Sequence, residues 1–409
     1  MSQELKVLMV AGEWPEPTNA GGRQRTNLLW NALRSCAHTH LLLQNPATDA
    51  PAGVAERLKA AGNVHFSPLT RRGARGAWRL ARPLSPRIVD RLAHNLGSRR
   101  VDYAPDPGVA PAFDELHARV KFDVVVSRYL LPLARCGALG KVRCIVDVDD
   151  LDTQVYQSRI EVSRGWRRAM LQHHLNQLQE IVPGMLARCA HRWVITTEDL
   201  ATIGADHTSI LPNIPFNMPG GTGPVPAGSQ DAMIVASWTH RINWLGVARF
   251  LKNSWPEVLR RAPKARLRLV GSGMSDALRQ EWSRLPGVDV IGTVDDLSAE
   301  YARAAVCLVP LFEGGGSKIK VLEALAFGRP VVVTHHSLRG YNHVLREGES
   351  LLAASDDEGF AIAVAELLGD PVRAATLAET GQRLVRTHFS RDEFFSIVRR
   401  DLVAAAART

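Results

Sequence analysis

Val309-Pro310-Leu311-Phe312-Glu313-Gly314-Gly315-Gly316-Ser317-Lys318-Ile319-Lys320-Val321-Leu322-Glu323-Ala324-Leu325-Ala326-Phe327-Gly328-Arg329-Pro330 decides how this chain reads. An apolar strand is expected to end at Pro310. Three glycines come next, Ser317 is placed to N-cap a helix running to Phe327, and Gly328 stands at its C-terminal stop. Strand, glycine turn and helix in that order form the repeating unit of a parallel α/β sheet. A glycine-rich turn at a helix N-terminus lets backbone N–H groups approach a phosphate, and the helix dipole favours the negative charge. Lys318 and Lys320 fall in the first turn, where a cation opposes the dipole unless an anion is bound. A bound diphosphate would repair that broken local rule. Glu323, one turn beyond Lys320, can accept hydrogen bonds from both hydroxyls of a ribose. The alternative is a glycine-rich surface loop with an ordinary exposed glutamate.

Working outward, short β-branched runs alternate with helical patterns on both sides. Strands are expected at Lys6–Ala11, Thr39–Gln44, Val64–Pro68, Asp123–Ser127, Arg143–Val148 and Trp193–Thr196. They resume at Ala232–Ala236, Arg266–Val270, Val288–Ile291, Ala305–Pro310, Pro330–Thr334 and Ser350–Ala353. Helices are expected from Gly22 onward, and at Asn243–Arg261, Ser275–Leu285, Leu297–Ala304, Ile319–Phe327, Gly359–Leu368, Val372–His388 and Arg391–Ala407. Between the halves, Leu211–Pro215 and Pro219–Gly228 hold nine glycines and prolines in fifteen positions, a linker composition. The expected fold class is α/β, two Rossmann-like doubly wound domains facing across a cleft. The expected division is 1–215, a linker at 216–230, 231–390 and a terminal helix at 391–409. Ligands of such sheets bind at the carboxyl ends of the strands.

Composition narrows the classes. In 409 residues the five cysteines are scattered and never form a CxxC pair, which argues against a disulfide framework or zinc site and fits a reducing cytoplasm. Met1 leads directly into a strand pattern, read as a chain without a secretory leader. No apolar run is long enough to span a membrane. The net charge of +9 is uneven: nine arginines and one acid, Asp90, lie between Arg71 and Arg100. That stretch, with Trp78 and Leu80 as apolar anchors, reads either as a solvated face or as a dock for an anionic membrane. The second reading places the chain peripherally on the inner face of the plasma membrane. Aromatics are sparse and no reading module appears, so nucleic acid is not an expected partner. There is no P-loop, no GxSxG elbow, and no GxGxxG after the first strand, which argues against a dehydrogenase.

The Glu323 stretch resembles the donor-site motif of retaining GT-B glycosyltransferases of family 4, the glycosyl transferases group 1. That motif carries two glutamates with seven residues between them, then an Ala-rich helix and a Gly-x-Pro-Val-Val strand. Glu323 matches the second glutamate, and Ala324 through Val332 match the family's helix and strand. The first glutamate would fall at Gly315, so the loop is similar to a Gly-Gly-Gly-Ser-x-x-Lys variant, with Glu313 two residues from the missing carboxylate. Ala11 to Pro15 and Asn19 to Arg23, with Gly21 and Gly22, are similar to the family's first strand and glycine loop. Leu211-Pro212-Asn213 looks like the end of its acceptor domain, and Leu269 to Gly273, with Gly271 and Gly273, like its Val-Gly-x-Gly turn. The resemblance implies a nucleoside-diphosphate sugar bound by the C-terminal domain, a glycan, lipid-linked or small-molecule acceptor bound by the N-terminal domain, and retention of configuration. It also implies a terminal helix crossing back to the N-terminal domain and a phosphate-binding role for Arg241.

Asp147-Val148-Asp149-Asp150-Leu151-Asp152 ends an apolar strand. Clustered carboxylates suggest a divalent metal, but lysines, amides and helix ends can neutralise a diphosphate, so no metal or other cofactor is expected. By resemblance, Asp149 and Asp150 stand where the family has a His-Asp pair, and with Glu313 they are the candidates for the acceptor and transferred sugar. The alternative is a helix N-cap cluster. Two rival functions remain open: a nucleotide-sugar epimerase on the same architecture, and a non-catalytic nucleotide-binding protein.

Overall fold

The computed structural model describes residues 4–18, 21–45, 47–69, 103–149, 151–161, 163–215, 217–219, 223–226, 228–313 and 318–408. The chain divides into two compact units. The first comprises residues 1–195, 199–211 and 395–409, and the second residues 196–198 and 212–394.

In the first unit run β1 (Lys6–Ala11), α1 (Gly21–Arg34), β2 (His38–Leu43), α2 (Val54–Ala60), β3 (Val64–Phe66), α3 (Val109–Val120), β4 (Val124–Arg128), α4 (Leu130–Cys136), β5 (Arg143–Val148), α5 (Asp152–Glu161), α6 (Gly165–Ala187), β6 (His191–Val194), α7 (Thr197–Ile203) and β7 (Thr208–Ile210). The strands form one parallel sheet in the order β3-β2-β1-β4-β5-β6-β7. Val7 through Ala11 are fully buried, which explains why the central strand reads as an unbroken apolar run rather than an alternation. The apolar face of α3, with Val109, Phe113 and Leu116, shares a core with Leu8, Val125 and Val146.

The second unit holds β8 (Asp231–Val235), α8 (Arg241–Asn253), α9 (Trp255–Arg261), β9 (Arg266–Val270), α10 (Asp276–Trp282), β10 (Val288–Gly292), α11 (Ser298–Arg303), β11 (Val306–Val309), α12 (Ile319–Ala326), β12 (Val331–Thr334), α13 (His335–Leu338), β13 (Leu352–Ala354), α14 (Asp357–Gly369) and α15 (Pro371–His388). Its parallel sheet runs β10-β9-β8-β11-β12-β13. A final helix, α16 (Arg391–Ala407), ends the chain. Its Asp401 is buried in the first unit, where it accepts hydrogen bonds from Trp193 Nε1 (2.8 Å) and Ser209 Oγ (2.5 Å).

Three local expectations are corrected. The single helix expected over Asn243–Arg261 is two, α8 and α9. Pro256 sits in the first turn of α9, where its missing N–H is tolerated, and it cannot continue α8. The buried Ser254 Oγ at the break donates to Asp357 O (2.8 Å). The second correction is the edge strand β7, which has no apolar run of its own and is set by pairing with β6. The third concerns α12: it opens at Ile319 with Lys318, not Ser317, at the cap, and no side-chain cap bond forms. Residues 223 and 224, within the glycine- and proline-rich segment, are tied to the second unit by the buried Arg329, which donates to the carbonyls of Gly223 and Pro224. Among the described residues no helix is long and apolar enough to cross a membrane.

Candidate functional site

Each sheet has a point where strand order reverses, and ligands of doubly wound sheets collect there, outside the strand ends. In the second unit that point lies between β8 and β11. The chain leaving β8 forms a loop at 236–240 held against the turn after β9. Trp238 N–H donates to Ser272 O (2.9 Å). Gly271 and Gly273 have φ of 128° and 80°, and a Cβ on either would collide with Ala236 or Thr239. Only glycine fits both the backbone angle and the close approach. At Gly246, on α8, a Cβ would lie 2.5 Å from Pro310 O, so the helix lies directly on the root of the glycine loop.

That root is fixed from several sides. Thr334 Oγ1 donates to Leu311 O, and Ser337 Oγ donates to Val309 O (3.2 Å) and Leu311 O (3.0 Å). Arg249, paired with Asp357, lies 3.7 Å from the Phe312 ring centroid. Glu313 is exposed, and Gly314, Gly315, Gly316 and Ser317 lie outside the described residues. The chain resumes at the buried Lys318. Lys320 Nζ donates to Asn243 Oδ1 (2.8 Å), and Asn243 Nδ2 in turn donates to Ser237 O (2.7 Å). Both side chains border the ends of β8 and β11, beside Ala236, Pro310 and Leu311. Arg241, the first residue of α8, is exposed at the same strand ends.

The electrostatics of α12 are unusual. Burial and the neighbouring Lys318 push the Lys320 ammonium down to about 7, against the attraction of Glu323. Glu323, 6% exposed, is pushed by burial up to about 7, against a hydrogen bond with Asn217 and the Lys320 charge. A cation and a carboxylate three residues apart are thus each easily neutralised at neutral pH. An incoming anion would hold the lysine charged, and hydroxyl donors would hold the glutamate ionised.

In the first unit the reversal lies between β1 and β4. A buried ionic network is built there. Arg25 of α1, 1% exposed, contacts Asp147 through Nε (2.9 Å to Oδ2) and Nη2 (2.6 Å to Oδ1), and Nη2 also reaches Leu211 O (2.8 Å). Arg128, fully buried at the end of β4, donates to Asp147 Oδ2 (2.7 Å) and Asp149 Oδ2 (2.8 Å). Tyr129, at φ 66°, donates its hydroxyl to the same Asp149 oxygen (3.0 Å). Burial alone would raise the Asp149 carboxyl. Arg128, Arg25 and the tyrosine hydroxyl outweigh it and hold the group below the usual range, ionised and partly accessible. Gly21 and Gly22 open α1, and a Cβ on Gly22 would collide with the Glu13 carboxylate. One oxygen of Glu13 is buried with no hydrogen-bond partner among the described residues. Asp152 is bonded by Tyr103, Asp150 lies outside the described residues, and among the described residues no cluster fit to hold a metal is present.

The structure therefore places Gly271, Gly273, Arg241, Lys318, Lys320 and Glu323 around the reversal point of one sheet. It places Gly21, Gly22 and Asp149 around that of the other. Arg25, Arg128, Tyr129 and Asn217 were not anticipated. For Arg128 a local signal exists: it and Asp147 stand in otherwise apolar strand sequences, and a charge at such a position needs a buried partner, whereas nothing near Arg25 in sequence marks it.

Residues 230–370 match the family described as glycosyl transferases group 1. Over 141 residues the chain is 31% identical to a phosphatidyl-myo-inositol mannosyltransferase of Mycolicibacterium smegmatis, 33% of this chain and 36% of that one. The match thus spans about a third of that relative's length. Among solved structures the chain is similar to a sucrose-phosphate synthase from Thermosynechococcus elongatus, with a TM-score of 0.66 at 18% identity over 98% of this chain and 100% of that one. It is similarly close to HepE of Anabaena in complex with UDP, with a TM-score of 0.66 at 13% identity and the same coverage. At these identities the likeness is one of fold: two parallel α/β units of the GT-B class.

Proposed function

We propose that the chain is a glycosyltransferase that takes a sugar from a nucleoside-diphosphate donor bound at the β8/β11 strand ends. The observation that carries this reading is the first turn of α12. There a half-buried lysine has a neutral asparagine as its hydrogen-bond acceptor, one turn before a buried, readily neutralised glutamate. In the proposed roles Lys318, Lys320, Arg241 and the amides of 314–316 carry the diphosphate, Glu323 accepts the ribose hydroxyls, and the Gly271–Gly273 turn shapes the floor. The group 1 match over this unit and the UDP-bound structural neighbour support the assignment.

The leaving diphosphate gains charge as the glycosidic bond breaks, so fixed cations and amides aimed at it supply the main catalytic effect. The acceptor, a glycan, lipid-linked or small-molecule hydroxyl, would be held by the first unit. Asp149 suits hydrogen bonding to a hydroxyl because it stays ionised. Retention of anomeric configuration is proposed from the family resemblance, with no metal required.

Purified protein incubated with UDP-, GDP-, dTDP- and ADP-sugars tests the reading by chromatography of the products. Release of nucleoside diphosphate from one donor, reduced by Lys320→Met, is expected. Conversion of the sugar without release would favour an epimerase. Binding with neither would favour a non-catalytic nucleotide-binding protein.

A further inference from the structure

We infer that the start of α6 is a docking surface for an anionic lipid bilayer. This rests on residues outside both half-sites and is independent of the reading above. Residues 164–169, Arg-Gly-Trp-Arg-Arg-Ala, are exposed without interruption. Trp166 is 65% exposed. Arg164, Arg167 and Arg168 surround it in sequence. Exposed Arg159 near the end of α5 adds a fourth cation, although it lies over the Tyr156 ring (5.8 Å) and feels Asp152 as well as the neighbouring Glu161. Among the described residues none of these arginines forms a salt bridge.

An indole left in water is unfavourable, and its amphipathic ring suits the boundary between headgroups and acyl chains. Guanidinium groups bind phosphate bidentately, and each cation near an anionic membrane strengthens binding about fivefold. The first turn of α6 carries no acid, so anionic headgroups would also relieve cations opposed to the helix dipole. A protein partner fits less well. Its interface core needs a contiguous apolar patch, and here one exposed indole stands among three arginines in sequence, with exposed Ala169 and half-buried Met170 its apolar neighbours among the described residues at the start of the helix.

The test uses the full chain and sedimentation with vesicles of phosphatidylcholine alone or mixed with phosphatidylglycerol. Salt-sensitive binding to the mixed vesicles only is expected. Trp166→Ala should weaken it, and Arg167→Glu with Arg168→Glu should weaken it at least about tenfold, with unchanged melting temperature. The Lys-for-Arg pair at the same positions should keep most of the binding. Failure of the unaltered chain to bind mixed vesicles would overturn the inference. So would undiminished binding of the variants, which would assign the membrane to another basic segment such as Arg71–Arg100, or an equal loss in the lysine pair, which would point away from charge.

Discussion

Donor binding should have an affinity optimum near neutral pH, and the two residues of α12 fix both sides of it. Lys320 titrates at about 7 in the free protein, against an ordinary 10.5. Restoring the ordinary value with a bound diphosphate is worth up to about 5 kcal/mol at about 1.36 kcal/mol per unit, an upper bound for a half-buried group. Above pH 7 the free lysine is neutral and must take up a proton as the donor binds, so affinity falls by up to about tenfold per pH unit. Below pH 7 Glu323 is protonated in the free protein and must release its proton to accept two hydroxyls. Affinity then falls by up to about tenfold per unit in the other direction. Calorimetric titration with an intact nucleoside-diphosphate sugar, whose diphosphate does not ionise in this range, reads the effect directly. Buffers of different ionisation enthalpy should report proton uptake above pH 7 and release below it. Lys320→Met should flatten the alkaline limb and Glu323→Gln the acid limb. A constant affinity from about pH 6 to 8.5, or an alkaline limb kept by Lys320→Met, would refute the reasoning.

Other expectations concern the scaffold. Asp147→Ala strands Arg25 and Arg128 as buried charges and should cost the first unit about 3–5 kcal/mol in denaturant unfolding, against a change under 1 kcal/mol if the network is dispensable. Gly271→Ala meets both a φ of 128° and the Ala236 carbonyl, and should lower the melting temperature of the second unit by more than any exposed substitution. Burial, with His65, His38 and Arg119 nearby, pushes the His40 imidazole down to about 4, and its ring nitrogen lies 3.1 Å from His65. The unfolded chain therefore takes up the proton first. Stability is complete above about pH 6.5 and declines toward pH 4 by up to about 3 kcal/mol, a decline that His40→Phe should blunt.

Much of the fold is written locally. The bounds of β1, β5, β9 and α16 coincide with those expected, and β1, whose residues Val7–Ala11 are buried on both faces, is the unbroken apolar run of a central parallel strand. Where tertiary context decides, local reading fails. Thr208-Ser209-Ile210 becomes a strand because β6 offers an edge, and the helical period running through 243–261 hides the break that Pro256 enforces. The same contrast governs the sites. The glycines, lysines and glutamate proposed to hold the donor lie within one short segment, so that candidate site can be read from the sequence. The first-unit network is not, since Arg25 meets a carboxylate 122 positions away and Arg128 one 19 away. The titration of Lys320 and Glu323 near 7 likewise comes from burial under neighbouring elements, which no motif records.

The role of Glu323 can be tested by titrating unaltered protein and Glu323→Ala with the donor that binds best, alongside a melting curve of each free protein. Two hydrogen bonds from ribose hydroxyls to a carboxylate are each worth about 1.5–3 kcal/mol. The dissociation constant should therefore rise at least about tenfold while the melting temperature of the free variant is preserved. Equal affinity of the two proteins, or no binding of any nucleoside-diphosphate sugar by the unaltered chain, would contradict a nucleotide-sugar site at the start of α12.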